Sequence, residues 1–355
     1  MRARVTRIWD SLRRPSLASL RGWALAAVIA NAVIITTGAA VRLSASGLGC
    51  DDWPQCTTTS LIAAHVSGQA TLNTWIEFGN RLLNYPLVII AGLAFVACWR
   101  YRVNGSRRRD LVRLSACLPL GVVAQAVVGG IVVHTKLNPA LVAVHFLLSS
   151  SILAAAVVLH TRVAEGSGPV RALVRPEFRV LALLLAGAVA AMLAAGTVVT
   201  GTGPLAGTTV DGGGHHSAVP RFHLPLDGVT QFHADIAWFI TATVVALVIG
   251  LRFSAAPARA RRYGWLVLGG VLAQAAIGYA QYFSHEPAGL VWVHVAGSVL
   301  LWTCALKLYL STRERLPAGL AARGVMTSGQ APASGAAVRA QAGGAALGRV
   351  TRADA

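Results

Sequence analysis

The chain has 355 residues, is 55% hydrophobic and only 12% charged, and carries a formal net charge of +18. Apolar runs of about twenty residues, the length that crosses a bilayer as helix, recur along it and make it an integral membrane protein. The basic residues collect in alternate loops, the topology signal of such a protein, which excludes nucleic-acid binding as the meaning of the charge.

In chain order, a basic N-terminal segment, 1–21, holds Arg2, Arg4, Arg7, Arg13, Arg14 and Arg21. The first span, 22–41, is long enough to cross and ends at no small-residue cleavage site, so it reads as retained. An outer loop, 43–75, contains Cys50 and Cys56, and further spans follow at 76–98, 112–134, 139–160, 179–201, 230–251, 263–283 and 288–310. Of the 31 Lys and Arg residues, only Arg42, Arg81, Lys136 and Arg221 lie on the cysteine-loop side. Both termini are therefore expected in the cytoplasm and the cysteine loop outside it, in a multi-pass protein of the cell membrane. Residues 313–355, rich in Ala, Gly, Arg and Ser without apolar periodicity, read as a disordered cytoplasmic tail.

Spans three and four overlay spans seven and eight at one constant offset. "QAVVGGIVVHTKLNPALVAVHFLLS" meets "QAAIGYAQYFSHEPAGLVWVHVAGS", pairing Gln125 with Gln274, Gly129 with Gly278, Leu141 with Leu290, Val144 with Val293, His145 with His294 and Ser149 with Ser298. The expected architecture is all-α: eight transmembrane helices in two four-helix bundles, 22–162 and 179–312, joined by a cytoplasmic linker, 163–178. An even number of spans per copy keeps both copies in one orientation, related by a pseudo-twofold axis along the membrane normal. Span two then corresponds to span six, so Asn80 in "WIEFGNRLL" stands where His233 stands in "GVTQFHADIAWF".

His145 and His294 each lie about seven residues inside the outer start of their span, roughly 10 Å deep at about 1.5 Å per residue. Burying such a group without a partner costs several kcal/mol, so an ionisable residue at this depth points to function. A lone histidine can simply hydrogen-bond between helices, but duplication at equivalent depth argues against that. His233 and His294 enter from the same face on two helices and can present imidazoles to opposite faces of a haem iron. In the first half the corresponding pair is Asn80 and His145, and a carboxamide nitrogen is not basic, which leaves one axial position open. His134 and His65 are alternatives there, without the repeat relationship. His160 reads as interfacial, His215, His216 and His223 as parts of a solvated Gly-rich loop, and His285, near Glu286, as part of the short seventh loop.

Cys98, Cys117 and Cys304 fall in or near spans, where a thiol behaves as a small hydrophobe. Cys50 and Cys56 bracket "CDDWPQC" in an extracytoplasmic loop, where disulfides persist and the Trp-Pro turn can bring the sulfurs together. A zinc site would need two more ligands. The reading is a disulfide closing a short exposed loop, and exposure would suit it to redox activity. Close by, Glu77, Asn80 and Arg81 are helical neighbours at i, i+3 and i+4 and project to one face. Without more context they read equally as a salt bridge and polar contact at the membrane boundary.

"TGAAVRLSASGLGCDDWPQC", Thr37 to Cys56, resembles the first outer loop of the haem A synthases, and "NPALVAVH" and "GLVWVH" resemble their haem-ligand helices. The resemblance implies an eight-helix membrane oxidoreductase that oxidises the C8 methyl group of haem O to the formyl group of haem A, by successive hydroxylations, for cytochrome c oxidase. Carried over by position, it implies His233 and His294 as ligands of a resident haem b in the C-terminal half. It implies His145 as a ligand of the substrate haem O in the N-terminal half, Glu77 as the functional carboxylate beside it, and Cys50 with Cys56 as the disulfide pair. Asn80 and Arg81 belong to the same pocket, where Arg81, and secondarily Arg42, can face a haem propionate. The implied partners are the bilayer, haem O with the haem O synthase that supplies it, and the oxidase assembly machinery. The family's span-two pattern is Glu, two residues, His, Arg; here Asn80 takes the histidine's place, and Ala234 follows His233 where the family often has Arg. Two other readings share the histidines. A di-haem cytochrome passing electrons from quinol has no need of Glu77 beside a ligand-poor site, and a haem chaperone or transporter would use Asn80 to mark a releasable cofactor.

Overall fold

The computed structural model describes residues 9–317, apart from 51, 58–59, 64–70 and 211–215. The readings of residues 1–8, His65, His215, the His216 side chain and the tail from 318 onward lie outside the described residues.

Eight segments are long and apolar enough to cross a membrane. They are α1 (Leu17–Leu43), a bent pair α2 (Thr71–Leu82) and α3 (Asn84–Arg100), α4 (Arg109–His134), α5 (Pro139–Val163), α6 (Pro176–Thr202), α7 (Leu226–Arg252), α8 (Ala258–Phe283) and α9 (Ala288–Ser311). All the expected spans are present, and each is longer than its apolar run because caps and polar turns extend the helix past the hydrophobic stretch. Ser16 caps α1 by accepting from the Ser19 N–H, and the Asn138 side chain accepts from the N–H groups of Ala140 and Leu141 to start α5. Span two, expected as one helix, bends at Leu83. Pro86 has no N–H to donate and its ring crowds the carbonyl of Leu82, so the helix ends there and restarts at Asn84.

The helices pack as two sets. In the first, α1 lies against α3 and α5, and α4 against the same two; in the second, α6 lies against α7 and α9, and α8 against the same two. Between the sets α9 touches α1 and α5, and α5 touches α6. The indole N–H of Trp292 donates to the Thr36 carbonyl and that of Trp302 to the Ser150 carbonyl, both at 3.0 Å, fastening α9 across the boundary.

Each set has its own apolar core, and both cores lie toward the basic end. Leu20, Ala24, Leu87, Ala94, Leu118 and Leu159 fill the first, and Leu185, Val189, Val244, Leu247, Val267 and Leu308 the second. The alanines let the helix backbones approach closely. The histidines stand toward the opposite, cysteine-loop end of the same helices.

The repeat extends to the backbone of the turns. Lys136 and Leu137 between α4 and α5, and His285 and Glu286 between α8 and α9, all have positive φ, from 50° to 62°. In both turns the second of these residues donates its N–H back to the last turn of the helix, Leu137 to Val132 and Glu286 to Gln281.

At the basic end the linker is tied down. Val170–Ala172 pairs antiparallel with Arg313–Arg315, so the first residues of the expected tail are ordered, because they satisfy the linker's backbone groups. Arg108, only 7% exposed, holds Asp110 through two N–H groups and donates to the carbonyls of Arg162, Glu165 and Gly166. Arg108→Ala leaves three carbonyls and the half-buried Asp110 without their donor and is expected to cost about 1–2 kcal/mol. The fall should appear in the thermal unfolding midpoint of the purified protein, with Arg108→Lys restoring only part of it for want of the planar fork. An unchanged midpoint in the alanine variant would count against the clamp.

Candidate functional site

The polar stretch opening span two folds as α2, a helix with one polar face. Glu77 is 5% exposed. Its Oε1 accepts from Arg81 Nη2 at 2.6 Å and Nε at 3.1 Å, and its Oε2 accepts from the Cys50 N–H at 2.8 Å. Arg81 Nη1 donates to the carbonyls of Asp52 and Gln55, both at 2.8 Å, and Nη2 to that of Cys50 at 3.1 Å. Arg81 thus uses its whole fork on Glu77 and three carbonyls of the cysteine loop. Arg42 is likewise engaged within the chain, donating to Ala206 at 3.1 Å and Thr200 at 3.5 Å.

Cys50 and Cys56 form a disulfide. Both are buried, at 0% and 1% exposure, where the sequence suggested an exposed loop. The difference has a physical cause: Glu77 and Arg81 draw the loop down onto α2, where a Cβ on Gly49 would collide with the backbone of Asn73 and Thr74.

His145 on α5, His233 on α7 and His294 on α9 are half-buried, and the Nδ1 of each is buried with no hydrogen-bond partner. His233 lies two turns inside α7 rather than one, because the helix starts at Leu226. The His233 and His294 ring centroids lie 6.4 Å apart, with the ring planes tilted at 56°. Two metal–nitrogen bonds of about 2 Å each, plus the ring radii, put opposed imidazole centroids roughly 6 Å apart, so an iron between them fits.

Each ring lies against a glycine of a neighbouring helix. A Cβ would stand 3.3 Å from His145 Cε1 if built on Gly129, 3.6 Å from His294 Cε1 if built on Gly278, and 3.3 Å from His233 Cε1 if built on Gly196. Gln125 Nε2 donates to the His145 carbonyl at 3.0 Å and also pairs with Ser149 Oγ, while Gln274 Nε2 donates to the His294 carbonyl at 2.7 Å. The repeat marks these Gln and Gly positions in the sequence without giving their contacts: in both halves the Gln bonds the histidine's carbonyl and the Gly lies against its ring. Gly196 has no such signal.

The first half differs where the second has His233. Gly38 stands five residues before the end of α1 and Gly196 six before the end of α6, but a Cβ on Gly38 would meet nothing within 4 Å. The Asn80 Oδ1 is buried without a partner. The other histidines stand apart: His134, His223 and His285 are exposed, and His160 Nδ1 lies 3.3 Å from Lys307 Nζ near the basic end. Among the described residues no three His, Cys, Asp or Glu side chains cluster as a metal site of their own.

Comparison with known proteins adds to this geometry. The COX15-CtaA family, described as cytochrome oxidase assembly protein, matches residues 21–306. The haem A synthase of Methylorubrum extorquens is 27% identical over 368 residues, covering 90% of this chain and 92% of that protein. The haem A synthase of Lysinibacillus sphaericus is 30% identical over 37% of this chain and 40% of its own length, and that of Geobacillus thermodenitrificans 30% identical over 31% and 32%.

Glu77→Ala would leave Arg81 without its carboxylate and the Cys50 N–H without an acceptor, a cost of about 3 kcal/mol. That corresponds to an increase on the order of 100-fold in loop release. Limited proteolysis of the purified protein, resolved after reduction, is expected to cut the 50–56 loop correspondingly faster than in the wild type. An unchanged rate would mean that the loop is held without this carboxylate.

Proposed function

The chain belongs to the COX15-CtaA family of cytochrome oxidase assembly proteins, and from that premise we propose that it acts as a haem A synthase, oxidising the C8 methyl group of haem O to the formyl group of haem A. The observation that carries the reading is the contrast between the halves: the paired imidazoles of His233 and His294 in one, and in the other His145 alone on α5, with the buried Glu77 and the unpartnered Asn80 Oδ1 on α2.

In this reading the two helix sets, 22–162 and 179–312, are bundles related by a pseudo-twofold axis along the membrane normal. The matched turns and the repeated Gln and Gly supports favour it. His233 and His294 hold a resident haem b. When bound, that group supplies one-electron transfer, and its two ligands leave no position for substrate. His145 binds the substrate haem O in the first half, with its carbonyl fixed by Gln125. Asn80 corresponds to His233 on the repeat, and its unpartnered Oδ1 offers a polar contact rather than a ligand bond.

In this reading Glu77, besides fastening the loop, stabilises positive charge developing at the methyl group or holds a proton there. Two successive hydroxylations of that carbon, each inserting one oxygen atom from an external oxygen-atom donor that is reduced by two electrons, would give an alcohol and then a gem-diol, which loses water to the aldehyde. Arg81 contributes to the pocket through the loop it fastens, in preference to a direct propionate contact, since its N–H groups are already engaged. The alternating basic loops favour termini in the cytoplasm and the cysteine loop outside it. The substrate would come from a haem O synthase in the same membrane, and the product would go to oxidase assembly. A di-haem cytochrome or a haem carrier would leave Glu77 only its part in fastening the cysteine loop.

The assignment is checked by expressing the chain in a host that makes haem O but lacks haem A synthase, then measuring the masses of the extracted haems. Haem A or its hydroxylated precursor is expected; neither appearing while haem O is supplied would sink the reading. Separately, His233→Ala and His294→Ala are each expected to abolish the low-spin haem b spectrum of the purified protein. Persistence of that spectrum in either variant would move the resident haem elsewhere.

A further inference from the structure

The disulfide loop reaches two helices of the first half. On one side Arg81 and Glu77 of α2 hold its backbone. On the other, the Trp53 ring lies on α4, where a Cβ built on Gly130 would stand 2.9 Å from both Cδ2 and Cε3 of that indole. The residue before it, Gly129, faces the His145 imidazole. Two adjacent glycines thus admit two rings, one from the ligand-bearing helix and one from the loop.

The second half lacks half of this arrangement. Gly129 is matched by Gly278, which faces His294, but Gly130 is matched by Tyr279. That tyrosine is 49% exposed and stacks on Phe283 at 6.5 Å between centroids. The glycine that seats an indole therefore occurs only in the half that also carries Glu77, Asn80 and the disulfide.

We propose that Trp53 is a positioning residue that walls the first-half site on the cysteine-loop side, seated on Gly130 by the Arg81 fastening and the disulfide. The proposal rests on the reading of the first half as a haem O site. Oxidising a methyl group selectively requires the substrate to be fixed and water to be kept from it. A haem closed by two imidazoles needs no such wall, which accounts for Tyr279 at the matching position. Even a methyl group on Gly130 occupies the space of the indole, so Gly130→Ala should displace Trp53 without altering any polar group.

Ferric haem b added to the purified protein serves as a probe of the first half, and binding of imidazole to it is followed spectroscopically, with a His145→Ala control. Trp53→Ala and Gly130→Ala are each expected to raise the rate at least tenfold, Trp53→Phe to stay near the wild type, and the double alanine variant to match either single one. The low-spin spectrum of the second half reports that each variant has folded. A wild-type rate in Trp53→Ala, or effects of the two substitutions that multiply, overturns the proposal. Probe binding that does not depend on His145 overturns it together with the haem-site reading. The expected rates in a protein that forms no haem A would uphold the wall while removing the synthase assignment.

Discussion

A helix in a bilayer satisfies its own backbone, so a polar side chain within a span must find its partner among other side chains or in a bound group. This chain meets the constraint in both ways. Glu77 and Arg81 find each other and then the carbonyls and N–H of one loop. The Nδ1 atoms of His145, His233 and His294 find nothing in the polypeptide. The apolar cores stay toward the basic end, so packing of the helices and accommodation of the imidazoles are carried by different stretches of the same segments.

The two halves share their supports and differ in what closes them. Gln125 and Gln274, Gly129 and Gly278, and the paired left-handed residues of the turns do the same work twice. The differences cluster at one level: Asn80 against His233, Gly130 against Tyr279, and a disulfide loop fastened to α2. On the proposed reading this separates a resident cofactor, held by two ligands, from an exchangeable one, enclosed by polypeptide.

Much of this is legible in the sequence because it depends on local apolar runs and on side chains repeated at one offset. The eight spans and the pairing of His145 with His294 follow from those alone, while the odd position of Asn80 needs the further matching of span two to span six and the family resemblance. The bend at Leu83 arises from a clash between Pro86 and a carbonyl, which acts below the scale of a hydrophobic window. The grip of Arg81 is hidden for another reason: its targets are the carbonyls of Cys50, Asp52 and Gln55, and a carbonyl looks the same on every residue. The same holds for the pairing of Val170–Ala172 with Arg313–Arg315. Trp53 is visible in "CDDWPQC", but its seat on Gly130 depends on an approach between loop and helix that no period in the chain encodes.

That strand pairing has a consequence for the order in which the protein is made. The Gly166 and Gly168 N–H groups of the linker donate to Arg315 and Leu316, and the Leu173 N–H donates to Thr312. Those acceptors leave the ribosome long after the first half is complete. Until then the linker, already gripped by Arg108 on its other edge, has no strand to pair with. The clasp closes only when the last helix has been synthesised, so a nascent chain stopped short of it would hold both helix sets without the latch at their basic end.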